Sequence, residues 1–463
     1  MKMNLKNEKT TYTALIIIIT LLLLSPLIFK TGFREEVYTS QETYKNLLEK
    51  QTIQENETIQ EQIIQNNPYH ILLNQIPLSN INLAILIPLI TGIISILLMI
   101  YFLRIMNISD NETTLILITF ALTPIFLQKF MTLNPDNFAF PLLLISGILY
   151  LKKSYLTIIP IILMIFINPV LGILFIILTI LHLFLNKERI KITTATLITS
   201  IITITTYIII NKELPIRVKT AMLDNVLIEL GSTTGYSMPL IILSAIGLFT
   251  WWEKGIDRTL ITTSLIAAFT ISIFLPELRL ITAFTLAIFA GIGINQLATR
   301  EWELKKIKYL ALLILFCIIL FSAIITINTQ LTQITKQEVE AARFLSSANT
   351  NGTILSTEEK GFMIQYLSGK ETFLDGETYK HVNYIEKKEI TQKIFYTRRL
   401  NDLEQLLNEN NIKYIYIYED MRQGKIWSGR DEGLLFFLTY SEKFLQLFDN
   451  EEVQIYKYIK NVE

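Results

Sequence analysis

Long stretches without charged residues alternate with short charged segments along the first 335 residues. Ten windows of at least 15 residues contain no Asp, Glu, Lys or Arg, and these are 10–29, 62–103, 113–128, 137–151, 154–186, 192–211, 230–252, 259–276, 280–299 and 309–335. A helix needs about 20 residues to cross a hydrocarbon core of ~30 Å, and it satisfies its own backbone polar groups there. The pattern therefore predicts a polytopic α-helical membrane domain over residues 1–329.

The number of helices depends on how two long windows are divided. The 154–186 window is too long for one helix and contains Asn168-Pro169, where proline removes a backbone donor. We therefore expect a hairpin of two helices, 155–167 and 170–185. With the apolar part of 62–103 beginning near Ile81, the prediction is about 11 transmembrane helices. The hairpin arms and 138–151 are short, and short helices can end part-way and leave a cavity.

The last 134 residues have a different composition, because 330–463 contain 38 of the 82 charged residues. Helical and strand-like patterns alternate here, with strands expected at 353–356, 412–418 and 453–459 and a helix at 432–448. This predicts a C-terminal α/β domain. The loop 31–80 carries apolar residues at helical spacing, so we expect amphipathic helices on the membrane surface.

The distribution of Lys and Arg predicts the orientation of the chain. With Met1 in the cytoplasm, the inner loops hold 15 Lys or Arg in 47 residues and the outer loops hold 9 in 93. The expectation is a multi-pass cell-membrane protein with a cytoplasmic N-terminus and an external C-terminal domain. The formal net charge of zero argues against a nucleic-acid partner.

Charged residues near the predicted outer ends of the helices are the candidates for chemistry. No window has a charge near its centre, which argues against an ion-coupled transporter. Carboxylates and one arginine instead collect at the outer side: Glu35, Glu36, Glu42, Asp136, Glu229 and Arg279. Such a group fits a site for a lipid phosphate. The simpler alternatives are a helix N-cap for Asp136 and an interfacial cation for Arg279.

Three short stretches, in this order along the chain, resemble a known family. Gln41-Glu42-Thr43-Tyr44-Lys45-Asn46 is similar to its first-loop acidic motif, although Leu47-Leu48 replaces the usual ending. Asn134-Pro135-Asp136-Asn137 is similar to its second-loop acidic motif. Pro276-Glu277-Leu278-Arg279, with Ala290-Gly291-Ile292-Gly293 further along, resembles an arginine-headed helix. The chain thus resembles membrane glycosyltransferases of the GT-C superfamily, most of all the archaeal oligosaccharyltransferase catalytic subunit and related polyprenyl-phosphate-sugar glycosyltransferases.

A fourth stretch, 354–367, resembles the segment that holds the WWDYG motif of oligosaccharyltransferases. Thr357 and Glu358 replace the tryptophans, Glu359 stands at the aspartate position, Lys360 replaces the tyrosine, and Gly361 is identical. The alternative is a strand-to-helix turn of an α/β domain, with Gly361 opening the helix. The sequence Trp-Trp-Glu-Lys-Gly at 251–255 is closer to the WWDYG motif in letters. It falls in a predicted inner loop, however, on the side of the membrane opposite to the expected site.

The resemblance implies transfer of a sugar from a polyprenyl-phosphate-linked donor to a lipid or glycan acceptor on the outer face. It implies Glu42 as base or metal ligand, with Glu35 and Glu36 as substitutes, and Asp136 as the second carboxylate. Arg279 would bind the lipid phosphate and Glu229 would contribute to substrate binding. Glu42 and Asp136 would share a divalent cation, Mg or Mn, with no other cofactor. The alternatives are protein glycosylation like that of an oligosaccharyltransferase, a catalytically silent relative, or a lipid or glycan transporter.

Overall fold

The structure is a computed structural model that divides into two compact units. It describes residues 5–31, 38, 40–55, 68–185, 190–211, 236–252, 266, 268–272, 275–348, 352–376, 384–429 and 431–460. The first unit comprises Met1–Gly32 with Ile53–Leu331, and the second comprises Phe33–Thr52 with Thr332–Glu463. The sequence assigns the whole loop 31–80 to the membrane domain, whereas the structure groups its first helix with the C-terminal residues.

The first unit is helical throughout its described part. Its helices are α1 (Leu5–Thr31), the end of α2 (Gln41–Glu55), α3 (Pro68–Gln75), α4 (Asn80–Ile105), α5 (Asp110–Ala121), α6 (Pro124–Phe130), α7 (Asp136–Leu151), α8 (Ile158–Ile167), α9 (Pro169–Leu185), α10 (Ile190–Asn211), α11 (Met238–Trp252), α12 (Arg279–Thr299) and α13 (Lys305–Thr332). Short 3-10 turns at Tyr155–Thr157 and Pro276–Leu278 precede α8 and α12.

Proline and the residue before it decide two breaks in these helices. The predicted helix over 113–128 is in fact α5 and α6, bent by 67°. Thr123 caps α6 through its hydroxyl, and Pro124 occupies the first turn, where its missing N–H costs nothing. The predicted hairpin is confirmed, because α8 ends at Ile167 and α9 begins at Pro169, with Asn168 extended between them.

Many helices of the first unit present apolar side chains outward. Among the described residues, three helices are long and apolar enough to cross a membrane, or four if the bent pair α5–α6 counts as one span. Shorter apolar segments lie in α1, α7, α8, α10 and α11. Exposed side chains such as Ile90, Leu97, Ile202 and Leu313 form the kind of surface that lipid tails cover. The total of about 11 spans stays a prediction.

Five phenylalanines form an aromatic core between four helices of this unit. Phe120 of α5 lies 5.0 Å from Phe126, 5.8 Å from Phe140 and 5.5 Å from Phe284, measured between ring centroids. Phe130 closes the group at 4.8 Å from Phe126 and 6.2 Å from Phe140. These rings belong to α5, α6, α7 and α12, so they fix the ends of α6 and the beginnings of α7 and α12 relative to one another.

Helices α11 and α12 approach each other at backbone distance. A Cβ atom built on Gly247 would lie 1.9 Å from the carbonyl oxygen of Phe289, and one on Gly293 would lie 2.5 Å from that of Leu243. Small residues permit such contact between membrane helices. The Ser244 hydroxyl also donates a hydrogen bond to the Leu286 carbonyl at 2.7 Å.

The second unit is a four-stranded mixed sheet with helices. Its helices are the first part of α2, α14 (Lys336–Ser346), α15 (Gly361–Ser368), α16 (Tyr384–Tyr396), α17 (Leu400–Glu409) and α18 (Leu434–Tyr440), with a π-helical turn at Met421–Lys425. The strands are β1 (Thr353–Leu355), β2 (Ile412–Tyr418), β3 (Phe444–Asp449) and β4 (Val453–Tyr458), in the order β1-β2-β4-β3. β1 pairs parallel with β2, and the other two pairings are antiparallel.

The predicted helix over 432–448 is wrong in its second half. Helix α18 ends at Tyr440, and 444–449 form strand β3, which pairs with β4 through a tight turn. Hydrogen bonds to β4 satisfy the backbone of β3, so tertiary pairing decides the conformation rather than local periodicity. The predicted strand at 412–418 is confirmed as β2.

Candidate active site at Asp136 and Arg279

Asp136 begins helix α7 behind a tightly bonded loop. The Asn134 side chain accepts a hydrogen bond from the Asp136 N–H at 2.9 Å and donates one to the Lys129 carbonyl at 2.6 Å. The Asn137 amide donates to the same carbonyl at 2.8 Å and accepts from the Asn134 N–H. The asparagines of the Asn-Pro-Asp-Asn stretch thus fix the end of α6 against the start of α7.

The Asp136 carboxylate is buried and binds two side chains from other elements. Its Oδ2 lies 2.9 Å from the ammonium nitrogen of Lys129, at the end of α6. Its Oδ1 accepts a hydrogen bond at 2.9 Å from the amide of Asn168, the residue between α8 and α9. The Asp136 side chain is 6% exposed and that of Lys129 is 18% exposed. A buried carboxylate requires partners of this kind to remain charged.

The capping alternative for Asp136 does not describe this geometry. Asp136 is the first residue of α7 rather than its cap, and the N-cap residue, Pro135, makes no side-chain capping bond. Asn134 bonds the first N–H of the helix instead. The Asp136 side chain is therefore directed to Lys129 and Asn168.

Arg279 is the first residue of α12 and follows the turn Pro276–Leu278. Its Nε donates to the Ser272 carbonyl at 3.4 Å, and the buried Tyr236 donates its phenolic hydrogen to the Ser272 hydroxyl at 2.6 Å. A guanidinium at a helix N-terminus adds to the positive end of the helix dipole. This end of α12 therefore attracts an anion.

Glu277, in the turn before α12, is a further candidate site residue. Its Oε2 is buried and has no hydrogen-bond partner within the described part of the chain. It lies close enough to Arg279 to interact electrostatically with it.

Lys129 and Asn168 were not predicted as site residues either. The sequence offered two indications of them: Lys129 is near Asp136 along the chain, and Asn168 lies at the tip of the predicted hairpin.

Packing brings the Asp136 and Arg279 segments to common neighbours. Helix α12 packs against α6, which carries Lys129, and the turn before Arg279 packs against α9, which follows Asn168. Phe140 of α7 and Phe284 of α12 meet edge-to-face at 6.0 Å. The elements that carry Arg279 and those that carry Lys129 and Asn168 are therefore packing neighbours in the first unit.

Glu42 lies in the second unit, in the first turn of α2. Glu42 is half-buried, and its backbone carbonyl accepts a hydrogen bond from the side-chain amide of Asn46 at 2.8 Å. Two residues of the same motif hold the helix in place. Gln41 accepts from the Met363 N–H at 2.9 Å, and Tyr44, fully buried, lies 5.7 Å from the Tyr366 ring.

The stretch that resembles the WWDYG motif forms the predicted turn between β1 and α15. Lys360 is buried, and its ammonium lies 2.6 Å from the carboxylate of Glu338 and 2.7 Å from the Gln333 carbonyl oxygen. A Cβ atom on Gly361 would lie 2.4 Å from the Leu374 carbonyl oxygen, so close backbone approach requires glycine there. The turn interpretation describes this segment.

Glu358 and Glu359 in the same turn are also engaged. Tyr384 donates a hydrogen bond to the Glu358 carboxylate at 3.2 Å, and Glu359 forms an ion pair with Lys425. Three remaining predicted site residues, Glu35, Glu36 and Glu229, lie outside the described residues.

The described residues do not form a metal centre. Within them, no group of three or more His, Cys, Asp or Glu side chains is arranged to hold a metal ion. At Asp136 both carboxylate oxygens already accept from nitrogen donors, one of them cationic. The surroundings of Asp136 therefore do not fit a divalent cation.

Solved structures show what this arrangement is similar to. No protein-family model matches the sequence, and no curated protein matches it. The structure is similar to the oligosaccharyltransferase of Archaeoglobus fulgidus tethered with an acceptor peptide containing the NVT sequon, with a TM-score of 0.61 and 10% identity, over 89% of this chain and 69% of that one. The similarity to ArnT from Cupriavidus metallidurans in the apo state covers 98% of both chains, with a TM-score of 0.54 and 9% identity. Both are GT-C glycosyltransferases. The chain has a GT-C-like fold.

The solved structures with this GT-C-like fold include lipid and metal complexes. The A. fulgidus protein AglB has been solved with an inhibitory peptide and a dolichol-phosphate, and ArnT with undecaprenyl phosphate. The A. fulgidus enzyme has also been solved with Zn and sulfate.

Proposed function

We propose that the chain is a multi-pass membrane glycosyltransferase that moves a sugar from a polyprenyl-phosphate-linked donor to a lipid or glycan acceptor on the outer face. The observation that carries the proposal is the buried Asp136, fixed by Lys129 and Asn168 among helices that also position Arg279, in a GT-C-like fold. Structural neighbours solved with polyprenyl phosphates support a donor of that class.

The proposed reaction forms one bond and breaks another at the anomeric carbon. An acceptor hydroxyl loses its proton to a carboxylate, its oxygen bonds to C1 of the sugar, and the bond between C1 and the phosphate oxygen breaks. General base catalysis of this kind contributes about 10²–10⁴ in rate. On the first-loop motif we assign the base to Glu42, with Glu35 and Glu36 as substitutes.

The leaving phosphate is the charge that Arg279 is proposed to stabilise. A guanidinium binds phosphate oxygens through charge-assisted hydrogen bonds, and the N-terminal end of α12 adds to the attraction. Glu277, beside Arg279, is proposed to orient the guanidinium, and Glu229 to contribute to acceptor binding. Asp136 serves as the second carboxylate.

The acceptor is proposed to be a lipid or a glycan rather than an Asn-x-Ser/Thr peptide. At the WWDYG-like turn, Lys360 bonds to Glu338 and Gln333 inside the second unit. Discrimination of a hydroxyl-bearing side chain needs a site that bonds it. Thr357, at the first tryptophan position, is bonded to Tyr418 at 2.9 Å.

The test is transfer of a radiolabelled hexose from polyprenyl-phosphate-hexose by the full-length protein in nanodiscs, with membrane lipid and glycan extracts as acceptors. We expect Asp136→Asn to reduce turnover by about 10² or more, because the amide loses the ion pair with Lys129 that positions the ends of α6 and α7. Asp110→Asn is the matched control, because Asp110 pairs with Arg104 and begins α5, whose Glu112 bonds to Asn295 near the C-terminal end of α12, far from Arg279 along that helix. Equal turnover of Asp136→Asn and wild type would contradict the proposal, as would lipid movement across a vesicle without sugar transfer.

The proposed orientation, with Met1 cytoplasmic and Glu463 external, has a separate test. In a Cys317→Ala background, single cysteines at the exposed positions Lys153 and Glu442 are labelled in intact cells with an impermeant maleimide. We expect Glu442→Cys to react and Lys153→Cys to be protected. The reverse pattern would overturn the orientation.

A further inference from the structure

The carboxylate of Asp136 has a positively charged partner within the protein, the side chain of Lys129. The Lys129 ammonium lies 2.9 Å from Asp136 Oδ2, within charge-assisted hydrogen-bond distance. Lys129 precedes Asp136 by seven residues, and the bonds of Asn134 and Asn137 to the Lys129 carbonyl hold the two residues together. The pair is thus built into the fold of the loop.

The other carboxylate oxygen of Asp136 is occupied from a different direction. Asn168 donates to Oδ1 at 2.9 Å, and its position is fixed because the α8–α9 break places it at the hairpin tip. The side-chain oxygen of Asn168, Oδ1, accepts a hydrogen bond from the Leu171 N–H at 3.4 Å, and this bond sets the orientation of the Asn168 amide. A hard divalent cation prefers oxygen ligands, whereas the groups facing Asp136 are nitrogen donors.

From this geometry we infer that Lys129 takes the position of a counter-cation at Asp136, and that Asp136 does not ligate a metal. A divalent cation on Oδ2 would meet the ammonium at short distance, and like charges in a buried site repel strongly. Asp136 and Lys129 then act as positioning residues that hold α6, α7 and the hairpin tip in one arrangement. The inference concerns Asp136 alone and leaves any cation elsewhere to other residues.

The decisive measurement is metal binding rather than activity. Mn²⁺ binding to the full-length protein in nanodiscs is measured by electron paramagnetic resonance for wild type, Asp136→Asn and Asp110→Asn. We expect the same stoichiometry and affinity for all three. Loss of one Mn²⁺ in Asp136→Asn but not in Asp110→Asn would overturn the inference.

A second arm uses Lys129 variants and depends on the proposed function for its turnover readout. We expect Lys129→Arg to keep turnover within about tenfold of wild type, because it preserves the cation, and Lys129→Met to lose about 10² or more. The Lys129→Met/Asp136→Asn double variant should lose no more than either single variant, since the two residues act as a unit. If Lys129→Met is fully active and newly dependent on Mn²⁺, Lys129 competes with a metal and the inference fails. If no donor is turned over at all, the proposed function fails while the Mn²⁺ comparison still decides this inference.

Discussion

Lys129 with Asp136 in the first unit and Lys360 with Glu338 in the second are both buried ion pairs, yet their surroundings differ. The Asp136 carboxylate receives side chains from α6 and from the α8–α9 tip, in a unit whose Arg279 segment shares the same neighbours. Glu338 instead belongs to the capping box of α14 with Thr335, and the Tyr416 hydroxyl bonds to its carbonyl at 2.9 Å. The Lys360 ammonium also lies 5.0 Å from the centre of the Tyr418 ring.

The difference shows that a motif position alone does not identify a site. Lys360 occupies a position that the family resemblance marks as functional, but its ammonium bonds to Glu338 and to the Gln333 carbonyl within the second unit. Lys129 occupies no motif position, and its ion pair lies where elements converge. Burial raises the pKa of Tyr416 well above its ordinary value and raises that of Tyr418 as well, so both phenols remain neutral beside the Lys360 pair.

The largest expected effect is a loss of stability when the Lys360–Glu338 ion pair is broken. Lys360→Met leaves Glu338 buried without its cation, and we expect the second unit to lose about 3–5 kcal/mol of unfolding free energy. The measurement is guanidinium unfolding of the full-length protein, followed by the fluorescence of the buried Trp427 with Trp251, Trp252 and Trp302 changed to Phe.

The control for that variant removes both charges. Lys360→Met/Glu338→Leu should recover much of the lost stability, because an apolar pair replaces a buried ion pair at little cost. Sugar transfer per folded molecule should equal that of wild type in both variants. A loss of turnover that the double variant does not restore would give Lys360 a role in the reaction and remove the contrast with Lys129.

The next effect asks whether the second unit supplies a catalytic carboxylate. We expect Glu42→Gln to reduce turnover by about 10² with donor binding kept, because the amide keeps size and polarity but cannot take a proton. Glu49→Gln on the same helix is the control, since Glu49 forms a partly exposed pair with Lys45 at 3.6 Å. If Glu42→Gln is active while Glu35→Gln or Glu36→Gln is inactive, the base is one of the substitutes.

A third experiment examines the acceptor. A sequon peptide and its Gln-x-Thr counterpart are offered with a membrane-derived donor, and we expect neither to be glycosylated above background. The physical reason is that Lys360 and Thr357 are bonded within their own unit. Glycosylation of the sequon peptide alone would make the protein an oligosaccharyltransferase.

The smallest expected effect concerns Asp449, an exposed carboxylate that can be compared with the buried Asp136 and Glu338. Partial burial raises the pKa of Asp449, but hydrogen bonds from the Glu451 N–H and from the amides of Gln454 and Gln446 outweigh it and lower the pKa below its ordinary value. A lowered pKa stabilises the fold above the unfolded value of about 3.9, and this contribution is lost as pH falls below it. Asp449→Asn should remove this small contribution at neutral pH and leave stability in acid nearly unchanged, so the melting temperature should fall less steeply as the pH is lowered. An unaltered acid dependence would mean that other carboxyls set it.

The helices of the first unit could be predicted from sequence because a bilayer imposes one rule on every segment. Charge-free windows therefore coincide with α7, α10 and α12 to within a few residues, and the apolar run expected to begin near Ile81 coincides with the start of α4. The hairpin at Asn168-Pro169 could also be predicted, because proline interrupts a helix wherever it occurs inside one. The bend between α5 and α6 was missed, because 113–128 contains no charge and only Thr123-Pro124 marks the break.

The site could be predicted only in part, since its contacts join distant segments. Asp136 and Arg279 carry recognisable motifs, but the bond between Asp136 and Asn168 spans 32 residues and depends on how α8 and α9 fold back. The assignment of the start of α2 to the second unit likewise depends on Tyr44 and Gln41 meeting residues more than 300 positions later. No local pattern encodes such distances.

The backbone contact between α11 and α12 has a consequence for traffic through the membrane domain. With Gly247 against the Phe289 carbonyl and Gly293 against that of Leu243, the two helices leave no room for an acyl or isoprenoid chain between them. If Arg279 binds a polyprenyl phosphate as proposed, the lipid chain of that donor must enter the bundle between other helices than α11 and α12.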